Sequence, residues 1–470
     1  MHLPVIGIDL GVTASSELAV ASGSKIESTR KVASTPKGLT VGLRRAANGR
    51  AVAIVVEATA MAWFVAAVAA ARAGIDHTMY RVSGAKAAAL RAFYRAHTKT
   101  DRIDARVLAR MPAVDDTLRE FTLPEPSELA LKRLVVLRHK LTAEGGKIQN
   151  RVRSTLHWAA PGLVAAAGGR VSLSLVAVLN RWPDLRSLAR ARVATVAREA
   201  RWTKVRAERV IAAAADAVAF YGDHVDFTAL ALEFEVACGQ LDALGAQVER
   251  LEARITELHA QRHPDDVLVT IPGIGAVIAG VVRAIVGDLS RFTNLASLRA
   301  FTGLVPRENS SGQSRRRGRI SKAGPSVLRW ALYMAADTAR QWDPQLADLY
   351  RRLMVERGQT HTQALCAVAS HLVGRIWAVV RDNRPYELRD LDGNPIGRAE
   401  ARAMALALRV DPDTRAKARG RHNEPGTPRS RQPQAPQDVT RLSDDHLIQI
   451  ALRVARNGRE VVGEEVLDKA

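Results

Sequence analysis

Cysteine is scarce: Cys238 and Cys366 are the only two in 470 residues, too few for a disulfide framework or a Cys-rich zinc site. Aromatic residues make up only 4%, so the cores must be assembled from Ala, Val and Leu. Acid is in deficit, with 69 Lys and Arg against 48 Asp and Glu and a net charge of +21. That balance disfavours basic macromolecules as partners and favours a polyanion, either nucleic acid or an anionic membrane face. No leader with a basic start, an apolar centre and a small-residue end opens the chain, which together with the low cysteine content points to the cytosol. A long apolar run is lacking too. The stretch 51–71 is dominated by weakly hydrophobic Ala and broken by Glu57, so it reads as a buried strand and a following helix rather than a membrane span. At 47% hydrophobic and 25% charged the chain is globular, with room for about three domains.

What is present falls into four regions. Residues 1–125 alternate strand and helix signals: strands at Val5 to Leu10, Glu17 to Ala21 and Lys25 to Ala33, a helix over Lys37 to Ala47, a strand from Ala51 to Val56, an Ala-rich helix from Met61 to Arg72, a strand from His77 to Val82, and helix from Gly84. This predicts an α/β domain. Residues 126–262 read as helical: Leu134, Leu137, Leu141, Ile148 and Val152 recur at helical spacing on what looks like a long exposed helix, and Leu241, Leu244, Val248, Leu251, Ile255 and Leu258 form a heptad seam. The seam predicts a coiled coil within or between chains. Between them, residues 181–209 carry nine Arg or Lys against Asp184, Glu199 and Glu208, with Trp182 and Trp202 interspersed; this is either a solvated helical face or a phosphate-backbone surface. Residues 263–400 form a mainly α region, and residues 401–470 a partly disordered tail, with a Pro, Arg and Gln-rich linker from Pro425 to Gln437 and a short helix from Ser443 to Asn457.

Four acids stand out. Val5-Ile6-Gly7-Ile8-Asp9 ends a buried strand on a carboxylate, which costs several kcal/mol unless something pairs with it. Glu57 repeats the arrangement after Ala51 to Val56. Asp101 and Asp104 stand three apart at a helix start and so share one face. Each has a structural explanation alone, as a cap or a dipole partner. Together, oxygen-only ligands without a His or Cys cluster favour Mg²⁺, or Mn²⁺ in its place. Two strand-end acids followed by a helical pair is the arrangement of an RNase H or RuvC-like nuclease fold.

In the second half, Ile271-Pro272-Gly273-Ile274-Gly275 before a helical Ala276 to Val286 resembles a helix-hairpin-helix, where Gly273 and Gly275 would let backbone N–H groups approach a phosphate; a tight turn fits equally. Farther on, the run from Arg307 to Arg329 sets seven basic residues against Glu308 alone, among them Arg307, Arg315, Arg316, Arg317, Arg319 and Lys322. Ser310-Ser311-Gly312 lies within it. A hydroxyl among guanidinium groups could attack a phosphodiester, although Ser-Gly pairs are usually only turns.

The order Gly-Ile-Asp, Val-Glu-Ala-Thr, Lys-Thr-Asp-Arg-Ile-Asp-Ala, Ile-Pro-Gly-Ile-Gly, Phe-Thr-Gly-Leu-Val-Pro-Arg, Ser-Gly and Ser-Lys-Ala-Gly, spread over about Val5 to Val380, resembles the DEDD-type insertion-sequence transposases of the IS110 family. The resemblance implies a RuvC-like domain joined through a coiled-coil region to a transposase domain. It assigns Asp9, Glu57, Asp101 and Asp104 to a metal site and Ser311 to the nucleophile. It further implies action on DNA at element ends and target, a dimer or tetramer with composite sites, no membrane, and a bacterial cytoplasmic setting at the nucleoid. Some family members are guided by an element-encoded bridge RNA. Two features depart from the family: the connection from Pro161 to about Phe227 is longer, and the chain after Glu400 has no counterpart.

Two other functions compete. Gly7-Ile8-Asp9-Leu10-Gly11, followed by Thr13 and Ser15, resembles the first phosphate loop of an actin-like sugar or acetate kinase, but a second phosphate motif and an adenosine loop are missing from the sequence. A non-catalytic DNA-binding scaffold would use the basic segments and leave the four acids unexplained.

Overall fold

The computed structural model describes residues 3–11, 14–58, 61–94, 100–116, 118–311 and 314–423. They form two compact units, the second beginning at Pro126.

The first unit is a five-stranded sheet with helices on both faces. Its elements are β1 (Val5–Asp9), β2 (Ser15–Ser22), β3 (Lys25–Ala33), α1 (Pro36–Ala47), β4 (Val52–Glu57), α2 (Ala62–Ala73), β5 (His77–Val82), α3 (Gly84–Tyr94) and α4 (Asp101–Val114). The strand order is β3-β2-β1-β4-β5, antiparallel on the β3-β2-β1 side and parallel across β1-β4-β5. β1 and β4 are apolar at nearly every position because helices cover both their faces. Ile6, Ile8, Ile54 and Val56 pack beneath α1 and α2. Val5, Ala53 and Val55 pack on the opposite face with Leu108 and Met111 of α4. This mixed sheet is compatible with an RNase H-like domain.

The second unit starts with α5 (Pro126–Ala159), which lies antiparallel to α11 (Phe227–Arg262). Contacts at Ser127–Arg262, Arg138–Glu252 and Arg151–Gln240 hold one register along the pair. The heptad seam of α11 is buried or half-buried in this pairing. Its partner is α5 of the same chain, so the spacing alone does not require a second copy. α5 itself differs from the exposed helix expected. Leu131, Val135, Arg138, Thr142, Gly145, Gln149 and Val152 are buried, while Leu137 is exposed. The buried face is offset from the leucine stripe because part of it is polar or glycine.

Between α5 and α11 the chain builds five further helices: α6 (Leu163–Ala166), α7 (Leu173–Arg181), α8 (Leu185–Ala189), α9 (Val193–Ala200) and α10 (Lys204–Tyr221). They share one core with the end of α5 and the start of α11, including Leu156, Leu175, Val196, Val210 and Phe234. A separate core at the opposite end of the α5/α11 pair gathers α12 (Ala276–Val286), α13 (Leu295–Thr302), α14 (Ser326–Ala339), α15 (Pro344–Arg351) and α16 (His361–Asp382). α16 is the one described helix long and apolar enough to cross a membrane, and Leu365, Val368, Leu372 and Ile376 on it are buried in this core. The hairpin β6 (Pro306–Ser311) and β7 (Ser314–Ile320) projects between α13 and α14 in sequence. The folded domain continues past residue 400. α17 (Arg398–Ala407) buries Ala401 and Ala405, and Val410 and Ala418, the latter on α18 (Pro412–Asn423), join the core. The expected linker at 425–437 and helix at 443–457 lie outside the described residues.

Candidate acidic site and serine hairpin

Strand alternation decides where the first two acids go. On β1, Val5 packs with α4, so Gly7 and Asp9 fall on that face; on β4, Ala53 and Val55 do the same and carry Glu57 with them. The parallel register pairs Ile8 with Val56. Asp9 and Glu57 are therefore the next step along two adjacent strands, on one face, about 5 Å apart in backbone spacing. Both are half-buried, and both make interactions with other groups.

The start of α4, which carries Asp101 and Asp104, is brought against this face by Gly7. A Cβ there would overlap the Ala105 carbonyl and the Ala109 amide of α4, so only glycine lets the helix lie this close. Leu108 and Met111, later on α4, pack with Val5, so the helix runs antiparallel to β1 and its first turn lies toward the Asp9 end. Thr100 caps that turn by accepting the Ile103 N–H at 3.3 Å. Asp101 is exposed. Asp104 is half-buried and accepts from Arg91 Nη1 at 3.0 and 3.1 Å. Glu57 Oε1 lies at the start of α3, 2.8 Å from where a Cβ on Gly84 would stand. Arg91, Gly7 and Gly84 are the positioning residues that sequence reasoning missed. The two glycines could have been inferred from the need for close helix and carboxylate approach; Arg91 left no local signal.

The all-oxygen donor set suits a hard divalent cation. Among the described residues, no group of three or more His, Cys, Asp or Glu is arranged to hold a metal. Residues 12, 13, 59, 60 and 95–99, which follow Asp9 and Glu57 and precede Asp101, lie outside the described set.

The second candidate region is the β6–β7 hairpin. Ser311 is the last residue of β6, paired with Ser314, and Ser310 is paired with Arg315. Arg316 and Arg317 face Asn309 and Glu308 in register. The side chains from 308 to 318, the Ser311 hydroxyl among them, lie outside the described set, as does Gly312.

The base of the hairpin explains the two motifs that flank it. Gly303 ends α13 in the left-handed region at φ 70°. A Cβ on Gly324 would overlap the Phe301 carbonyl, and one on Gly303 would stand 2.8 Å from the Gly324 amide. The Gly-Leu-Val-Pro and Ser-Lys-Ala-Gly segments thus cross at two glycines. Ser321 donates to the Val305 carbonyl at 2.8 Å, Lys322 N–H to the Gly303 carbonyl at 3.1 Å, and Arg329 to the Gly324 carbonyl at 3.0 Å. Arg307 donates to the Ser321 carbonyl at 3.2 Å, so it braces the hairpin base. Arg319 and Lys322 are exposed.

The Ile-Pro-Gly-Ile-Gly segment sets its two glycines in different surroundings. Gly273, at φ 88°, sits where a Cβ would overlap the Ala335 carbonyl of α14, so packing accounts for it. Gly275 is the N-cap of α12 with no side-chain cap and open space at its Cβ position. Just before this turn, Asp266 is buried and accepts from His259 at 2.9 Å and from Arg283 at 3.0 Å. Burial opposes its charge, yet these donors hold the carboxyl well below the ordinary range.

The first unit thus carries Asp9 and Glu57 at the ends of adjacent parallel strands with Asp101 and Asp104 at the start of the covering helix, and the second carries a β hairpin whose first strand ends on Ser311. Comparison with known proteins gives the family. Residues 6–161 match the DEDD transposase model of IS110 type, and residues 265–351 match the transposase IS116/IS110/IS902 family. The chain is 31% identical to the 43.6 kDa protein of insertion element IS110 from Streptomyces coelicolor, over 63% of this chain and 74% of that one. It is 29% identical to the 44.8 kDa protein of IS116 from Streptomyces clavuligerus, over 66% and 76%. A pilin gene-inverting protein of Moraxella lacunata is 32% identical over 26% of this chain and 38% of its own length. The chain belongs to the IS110 family of DEDD transposases, enzymes of DNA cutting and rejoining. That membership sets aside the kinase reading of Gly7 to Gly11 and the non-catalytic scaffold.

Proposed function

We propose that this transposase cuts and rejoins DNA through Ser311. The observation that supports the reading is the β1/β4 register, which pairs Ile8 with Val56, one residue before Asp9 and Glu57, on strands covered by α4. The Ser311 hydroxyl attacks a scissile phosphorus and displaces one DNA oxygen, giving a phosphoserine ester and a free DNA hydroxyl that takes up the proton. Attack by a second DNA hydroxyl reverses these bonds and restores the serine. The phosphodiester energy is kept throughout, so no external energy source is needed. Asp9, Glu57, Asp101 and Asp104 would hold Mg²⁺, or Mn²⁺, which when bound neutralises charge on the phosphate. Arg315, Arg316, Arg317, Arg319 and Lys322 supply positive charge along the DNA backbone. Because such contacts carry no sequence information, an element-encoded guide RNA is the proposed source of site choice. A dimer or tetramer would assemble acid site and serine from different copies, acting in the bacterial cytoplasm.

The test is trapping. Incubated with DNA carrying the element ends, the protein should form an adduct that survives denaturation and maps by mass spectrometry to Ser311. Ser311→Ala should give none. An adduct on Ser310, or cleavage with no protein-linked end, would refute the assignment.

A further inference from the structure

The helices α6–α10 fall between the two stretches that match the family, residues 6–161 and 265–351. They form a built structure. α9 and α10 are joined by Arg201, Trp202 and Thr203. Arg201 closes α9 in the left-handed region at φ 54°, Trp202 N–H donates to the Ala197 carbonyl at 2.8 Å, and Thr203 caps α10 by accepting the Arg206 N–H. A helix of 8 residues, a three-residue turn and a helix of 18 residues is the plan of a helix-turn-helix, whose second helix enters a DNA major groove.

The surface of this unit carries fitting chemistry. Two of its nearby acids are committed: Asp184 caps α8 and pairs with Arg186, and Glu199 lies 3.5 Å from Arg181. Among the described residues Arg190, Arg192, Arg198, Lys204 and Arg209 make no ion pair, and all five are exposed. On the first two turns of α10, Lys204, Val205, Glu208 and Arg209 face solvent, with Val205 61% exposed. An exposed valine is suited to a thymine methyl, while Glu208 can accept from a cytosine amino group and Arg209 can donate to a guanine edge. Asp216, farther along the exposed side, limits the contact to the start of the helix by repelling phosphate.

We propose that α7–α10 is a second DNA-binding module, independent of the serine hairpin, that lays the start of α10 in the major groove of double-stranded DNA while α9 crosses the backbone. The full chain is tested by fluorescence anisotropy with a duplex DNA probe of arbitrary sequence between 50 and 200 mM salt. Each lost phosphate contact lowers the slope of log affinity against log salt by about 0.9. The triple variant Arg198→Ala, Lys204→Ala, Arg209→Ala should lower it by about two units, from the phosphate contacts of Arg198 and Lys204, at an unchanged melting temperature. The charge-keeping triple Arg198→Lys, Lys204→Arg, Arg209→Lys should keep the wild-type slope. An unchanged slope in the alanine triple overturns the proposal, and so does a loss seen with double-stranded RNA and not with DNA. Binding needs neither Ser311 nor the acids, so failure of the serine chemistry would leave this result standing.

Discussion

The acidic site and the serine hairpin are each built around a pair of glycines, and the pairs do different work. Gly7 and Gly84 remove side chains from a layered sheet, so that α4 lies on β1 and the Glu57 carboxylate fits at the start of α3. Gly303 and Gly324 let two backbone segments cross and clamp the base of β6–β7. In the first case register fixes the strand positions of Asp9 and Glu57 themselves. In the second only the base is fixed, and the position of the serine follows from hairpin length and pairing.

The largest test of the contrast is chemical. Asp9→Ala and Ser311→Ala should each lower excision of a cognate element by at least about 1000-fold, the scale for a group that acts in the transition state, with unchanged circular dichroism. Retained activity in either breaks the pairing of the two regions. Next are the glycines. Gly324→Ala drives a Cβ into the Phe301 carbonyl, a backbone atom that cannot yield, and should cost about 1–3 kcal/mol in urea unfolding. Gly84→Ala meets only a carboxylate end, 2.8 Å away, which can move. It should change stability by less than about 1 kcal/mol yet lower excision about 10- to 100-fold. Equal stability losses would erase the distinction.

Acid provides a smaller effect, confined to the unit that carries the hairpin. The Asp266 carboxyl is held below its ordinary value, so its contribution to stability is present above about pH 4, the unfolded value, and is lost as pH falls toward the folded one. The urea midpoint should drop between pH 5 and pH 3, and less steeply in Asp266→Asn. Smallest is a labelling result. Burial pushes the Cys238 thiol up to about 11. Iodoacetamide at pH 8 should leave Cys238 unmodified in the native protein and label it after unfolding.

Much of this was legible in the sequence, and what was not has a common physical origin. Apolar runs ending on Asp9 and Glu57 located β1 and β4 because a strand buried on both faces has no other composition. The heptad spacing located the buried side of α11. On α5 the apolar recurrence located the helix, but its expected exposure did not hold, because Arg138 is paired with Glu252, Thr142 donates to the Arg138 carbonyl, and Gly145 and Gln149 also turn inward. Arg91 could not be read at all, since its pairing with Asp104 depends on how α3 and α4 pack. Gly273 was open to two readings, a phosphate contact or a tight turn, and its close approach to the Ala335 carbonyl adds a packing reason for glycine that the letter alone does not reveal.

The antiparallel pair α5/α11 has a consequence for scale. At 1.5 Å per residue the 34 residues of α5 make a boom about 50 Å long, with one hydrophobic core at each end. A duplex rises 3.4 Å per base pair, so if the proposed α7–α10 module and the hairpin end hold one duplex laid along this boom, the two contacts stand about 15 base pairs apart. Lengthening both helices by whole turns should move that distance outward in step, as a ruler would.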